Sequence, residues 1–187
     1  GPLAELDLNG YGATTADSDK LVVDGISYTF PVGDSVTLIV GDNTDGSALF
    51  TTACVYGGPS NTLDDCGNLV SGITGGGATV GASYDFGNGL TAAFGAQTTE
   101  NAVFTEESAD DYAFNVAYTG DNYGVSLTYA DVEALTINNV DVTDVTSYAL
   151  QAYYTPEGSG LPSISAGYET GETTVTALTT DHGAEHW

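Results

Sequence analysis

Basic side chains are almost missing from this chain: Lys20 is the only one, against 26 acidic groups, and the formal net charge is −25. That scarcity excludes nucleic-acid binding, because affinity for phosphate is built from many Lys and Arg contacts. It also excludes docking on anionic headgroups through a basic patch. No apolar run approaches the ~20 residues that a membrane helix needs, so a chain of this kind crosses a membrane only as strands. Histidine is confined to His182 and His186 near the end, and no nucleophile–His–carboxylate set can be assembled from them. No glycine-rich loop carries a phosphate-binding Lys. An enzyme is not expected, nor is a bound cofactor. Acidity on this scale often marks disorder, but 41% apolar residues in regular alternation argue against it. Life in salty water, where self-repulsion is screened, remains an open explanation of the charge.

Cysteine is scarce too. Cys54 and Cys66 stand with eleven residues between them in a Gly/Asn/Asp-rich stretch with no nearby His, a poor set for a tetrahedral metal. A disulfide within the loop is predicted instead, which implies a periplasmic or surface environment. In the same region Asp42, Asp45, Asp64 and Asp65 form a weak calcium candidate. Their spacing fits no EF-hand, and a solvated acidic loop is the plainer expectation. His182 and His186 have the i, i+4 spacing of a helical metal pair, but Gly183 and the Thr-rich approach disfavour a helix. A frayed polar tail is expected there.

What the chain does have is strand material: 25 Gly, 12 Tyr against 6 Phe, and abundant Thr, Val and Ser. Period-two alternation recurs, and helical periodicity is hard to find. Ten strands are predicted, near 5–12, 20–30, 35–41, 78–86, 90–98, 111–119, 123–130, 146–155, 163–169 and 173–178. Short connections (30–34, 87–89, 120–122, 156–162) alternate with longer ones (42–77, 99–110, 131–145). Strands joined this way form an antiparallel up-and-down meander, with tight turns on one rim and loops on the other. The fold class read from this is all-β, a transmembrane β-barrel or a large fragment of one, in a single domain over 1–187.

Three strands share a design. Tyr112, Phe114, Val116 and Tyr118 fall on one face, as do Tyr123, Val125, Leu127 and Tyr129, and Tyr148, Leu150, Ala152 and Tyr154. An apolar centre bounded by Tyr suits a lipid-facing band with aromatic girdles. The opposite faces carry Asn115, Ser126, Thr128 and Gln151 among Ala, Gly, Ser and Thr, small groups fit to line a water-filled lumen. The acids crowd into connections instead of taking the wet faces that a soluble sheet would give them. The long 42–77 loop is the candidate to fold inward or cap the mouth. The competing expectation is a soluble β-sandwich with a Tyr-rich core and an acidic, halophilic surface.

The run from Lys20 to Leu38, with Tyr28-Thr29-Phe30-Pro31-Val32-Gly33-Asp34-Ser35-Val36-Thr37 at its heart, resembles a hairpin of cyanobacterial outer-membrane porins. Gly81–Phe86, Asn115–Thr119 and Ser163–Glu169 resemble later hairpins of the same carbohydrate-selective or iron-uptake porin family. The low basic content is similar to that of marine picocyanobacterial members. The resemblance covers roughly residues 5–170. It implies an outer-membrane barrel of about sixteen strands passing small hydrophilic solutes, with lipid, solutes and further copies of the chain as partners. It also implies an S-layer-type anchor domain and a coiled coil, so this chain is expected to be the C-terminal part of the barrel. Trp187 is a terminal aromatic, but Asp181, Gly183 and Glu185 in phase with it make a poor apolar face.

Overall fold

The computed structural model describes residues 2–8, 21–54, 73, 77–98, 110–137, 140–158, 160–175 and 180–186. They form one antiparallel sheet of ten strands in chain order. The strands are β1 (Pro2–Leu8), β2 (Leu21–Val32), β3 (Val36–Asp42), β4 (Ala78–Asp85), β5 (Leu90–Thr98), β6 (Asp110–Thr119), β7 (Tyr123–Ile137), β8 (Val140–Tyr154), β9 (Ile164–Val175) and β10 (Thr180–His186). Every strand pairs with its sequence neighbours, the pattern of an up-and-down meander. The sheet is open: β1 and β10 are its edges, and no ladder joins them. Among the described residues no helix is long and apolar enough to cross a membrane, which says nothing of strands.

Local chemistry sets the turn rim. Between β2 and β3, Gly33 takes a φ of +69°, a conformation that costs a residue without Cβ little. Pro31, which cannot donate to a ladder, sits at the turn end of β2 opposite Thr37. Between β4 and β5, Asp85 Oδ1 accepts from the Gly87 N–H at 2.8 Å, and Asn88 Oδ1 from the Leu90 N–H at 3.2 Å. Gly89, at φ +85°, sends its carbonyl to the Thr119 N–H of the next hairpin (2.8 Å).

Three expectations from sequence are corrected on the opposite rim. The 131–145 connection is mostly strand, since β7 runs to Ile137 and β8 starts at Val140. Val132, Thr136, Ile137, Val140, Thr143 and Val145 supply enough β-branched side chains to pair despite the acids between them, and register shifts after Glu133 and Leu135 absorb the broken alternation. The strands expected at 163–169 and 173–178 join into β9, because Gly171 is held in ladders to Ser147 and Ala184 on either side. The polar tail forms β10, paired with β9 at seven positions. A strand so rich in charge suits an edge. His182 and His186 therefore lie four residues apart on a strand, about 13 Å, too far to share a metal. At the start, β1 begins at Pro2 and ends at Leu8, and residues 9–12 lie outside the described ones.

Candidate functional site

The sheet has two unlike faces. One, called outer here, carries Ile26, Tyr28, Val32, Val40, Tyr84, Tyr112, Phe114, Val116, Tyr118, Val125, Leu127 and Leu150 in the open; Leu127 and Leu150, opposite one another, are 52% and 51% exposed. Of the six girdle candidates, Tyr112, Tyr118, Tyr123, Tyr148 and Tyr154 are exposed on this face, and Tyr129 is half-buried among Tyr112, Phe114 and Tyr148. A shallow apolar hollow of about 400 Å³ lies between Tyr84, Phe94 and Phe114, floored by Ala82 and Ala92.

The apolar band runs obliquely over the strands. Ile26 closes it at the loop side of β2 and Tyr168 at the loop side of β9. Tyr168 is level with Val32, six residues along β2 from Ile26. Ladder hydrogen bonds run perpendicular to antiparallel strands, so a band that drifts along them marks tilt. Six residues at ~3.3 Å over seven interstrand steps at ~4.8 Å give a slope of roughly 30°, close to the tilt of membrane barrels. Where the band ends on β6 and β7, Tyr112 and Tyr129 each donate a hydroxyl hydrogen bond to Asp131 Oδ2 at 3.0 Å, handing the apolar surface over to a carboxylate.

The inner face is built of small groups. One level row crosses six strands as Gly81, Gly95, Ala113, Ala130, Ser147 and Gly171. Residues 44–54 and Ile73 lie on this face. A methyl group on Gly95 would collide with the Gly46 carbonyl, and one on Gly41 with the Thr44 side chain, so these glycines are what lets the segment approach. Ile73 packs with Phe50 and Val132 against Ala113 and Ala130. Gln97 Nε2 donates to the Thr44 carbonyl, and the Thr79 hydroxyl donates to the same oxygen at 3.1 Å.

The four residues expected to face a lumen come together here, each 1% exposed. They form two relays that end on the covering segment. The Thr51 N–H donates to Asn115 Oδ1 (3.0 Å), and Asn115 Nδ2 donates to Thr128 Oγ1 (2.9 Å). The Ala53 N–H donates to Ser126 Oγ (2.9 Å), and Ser126 in turn donates to Gln151 Oε1 (2.9 Å). All these groups are neutral. Sequence reading missed the glycine row and the fully buried Glu169, which acquire their places only when strands come into register, and Ile73, which lies outside the strands and packs onto the sheet.

The calcium candidate does not assemble among the described residues. Asp42 is exposed at the end of β3, Asp45 Oδ1 accepts from the Ser47 N–H at 2.7 Å, and Asp64 and Asp65 lie outside the described residues. No described group of His, Cys, Asp or Glu is arranged to hold a metal. Partial desolvation of the Asp45 carboxyl raises it above the usual carboxylate range, with the Ser47 hydrogen bond opposing. Cys54 ends the covering segment and carries no free thiol; Cys66 lies outside the described residues. Comparison with protein-family models, curated proteins and solved structures finds no match to this chain.

Proposed function

We propose that this chain is part of an outer-membrane porin, a passive diffusion channel for small hydrophilic solutes such as cations or neutral sugars. The observation that carries the reading is the polarity of the sheet: large apolar and aromatic side chains exposed on one face, small neutral polar ones covered by the chain's own loop on the other. Exposed apolar patches of this extent mark an apolar partner, and a tilted band between Tyr residues suits a bilayer. Residues 44–54 act as a plug on the lumen side, held by Asn115 and Ser126. Solutes pass by size, hydration and field, without chemistry. Clustered carboxylates at the loop rim, with no basic side chain except Lys20, favour cations over anions at the mouth. A Cys54–Cys66 disulfide, worth about 3 kcal/mol by loop closure, staples the plug; reactive thiols in folded, unreduced protein would rule it out.

Purification and planar-bilayer recording test the reading together. The full-length protein requires detergent and gives ion conductance that prefers cations. Monodisperse behaviour in buffer alone, with no conductance, overturns it. The open edges at β1 and β10 favour a second reading, a secreted structural or adhesive β-protein such as a surface-layer or fibre subunit that joins copies edge to edge. Detergent-free assembly into fibres would support it.

A further inference from the structure

We propose that Gln97 and Asp111 form a proton-operated latch on the covering segment, an inference that rests on the porin reading above. Gln97 is the inner-face residue that grips the start of that segment. Its Nε2 donates to the Thr44 carbonyl and to Thr79 Oγ1 (3.1 Å), which occupies both amide hydrogens. The amide cannot be reversed, because its oxygen would then oppose the Thr44 carbonyl oxygen. Oε1 is thereby left over. It belongs to a side chain only 2% exposed and meets no hydrogen-bond donor among the described residues. The Thr44 hydroxyl is not that donor, since it stands over Gly41 on β3, beyond Thr79.

The residue placed to supply a donor is Asp111. It is the direct ladder partner of Gln97 on β6, and the two share the inner face with Gly95 and Ala113. Side chains of such partners start about 4.5–5.5 Å apart at Cβ. As a carboxylate Asp111 only accepts, and adds a second acceptor beside the first. As a carboxylic acid it donates. Its Oδ1 already takes the Glu133 N–H at 3.1 Å, which leaves the other oxygen to carry a proton. Partial burial pushes the carboxyl up to about 6; the Glu133 N–H opposes the rise, and the charges of Glu133, Asp110 and Asp131 add to it.

The charged groups around Asp111, among the described residues, are all carboxylates. They are Asp110 beside it, Asp131 and Glu133 on β7, Asp144 across from Glu133 on β8, and Asp45 in the covering segment; β5 brings none. Asp131 accepts the Tyr112 and Tyr129 hydroxyls, and Asp45 the Ser47 N–H. These carboxylates are not arranged to hold a metal, so the occupant that fits is a proton. A carboxyl raised in the folded chain adds stability as pH falls. Here the gain is full below the ordinary value of 3.8 and is lost as pH rises through about 6. In acid, Asp111 bonds Gln97, Gln97 holds Thr44, and the segment is pinned across the lumen; in alkali that end loosens.

Two readouts on the full-length protein in lipid decide it. One is planar-bilayer conductance at ~1 M salt, where rim charges are screened. The other is the magnetic-resonance signal of the Gln97 side-chain amide under glutamine-selective isotope labelling, assigned by its loss in Q97L. From about pH 8 to about pH 4.5, wild-type conductance falls and the Gln97 signal shifts, both with a midpoint of about 6. D111N, whose amide donates at every pH, is constricted throughout. D111A, with neither charge nor donor, is open throughout. Equal conductance in D111N and D111A overturns the latch, because charge alone would then account for the response. A Gln97 signal that still titrates in D111N overturns it too, and so does one that stays fixed in wild type, which decides even if the variants fail to insert. A moving Gln97 signal in protein that never conducts supports the latch and overturns the channel reading.

Discussion

Outer and inner faces of the same strands follow opposite rules. On β6, Phe114 and Val116 stand about half exposed while Ala113, Asn115 and Ala117, which alternate with them, are buried. A soluble sheet would bury the first pair, because at about 25 cal/mol per Å² the large side chains gain most from leaving water. Here the small and polar groups are the buried ones, and what buries them is a loop from the same chain. The difference is the one that the proposed apolar surrounding of the outer face requires, while the inner face is shaped for close approach of backbone. Close approach and hydrogen bonding, not hydrophobicity, govern the inside: Gly41 and Gly95 make room for the covering segment, and Gln97, Asn115 and Ser126 bond to it.

The strongest way to break this contrast is to charge the middle of the outer face. Leu127 and Leu150 are ladder partners near the centre of the band. A Lys at either costs about 2–4 kcal/mol if the face meets the hydrocarbon midplane, but stays within ~0.5 kcal/mol if it meets water. Urea titration of L127K and L150K folded in lipid vesicles measures the cost. A change near zero in both variants contradicts a lipid-facing surface.

A second contrast lies within β5. Gly95 faces inward beneath the Gly46 carbonyl, whereas Ala92 faces outward over the hollow beside Phe94. G95V overpacks the inner side by about 1–3 kcal/mol, and the backbone it meets belongs to the plug, so the plug yields before the sheet. The expected result is protease cleavage within 44–54 and larger conductance, with the outer-face fold retained. A92V, which adds volume where room exists, leaves both properties unchanged. Equal effects from the two variants would remove the distinction between the faces.

How much of this was legible in the sequence follows the range of each interaction. Face polarity needs only period-two alternation, so Tyr112 to Tyr118 and Asn115 with Ser126 were assigned to opposite sides from local pattern alone. Meander order followed from turn chemistry at Gly33, Gly87 and Gly120. The 131–145 hairpin was hidden because its acids resemble a loop, while its β-branched residues pair across a bulged ladder whose register no local rule supplies. Gly81, Gly95, Ala113 and Ala130 come from four strands and become one row only through register.

The finest contrast lies between residues that hold the plug directly and those one bond behind. Asn115 and Ser126 accept the Thr51 and Ala53 N–H groups, whereas Thr128 and Gln151 accept from Asn115 and Ser126. Removing an acceptor strands a buried donor, at a cost of about 1–3 kcal/mol. N115A is therefore expected to speed hydrogen exchange at Thr51, and S126A at Ala53, by roughly fivefold or more. T128A and Q151A keep the acceptors of the Thr51 and Ala53 N–H groups and are expected to produce a smaller effect at the same amides. Asn115 and Ser126 stand on adjacent strands, so the double variant is expected to depart from simple addition. Equal protection loss from all four single substitutions would mean that the inner face anchors the segment by packing alone, and the relays would carry no special weight.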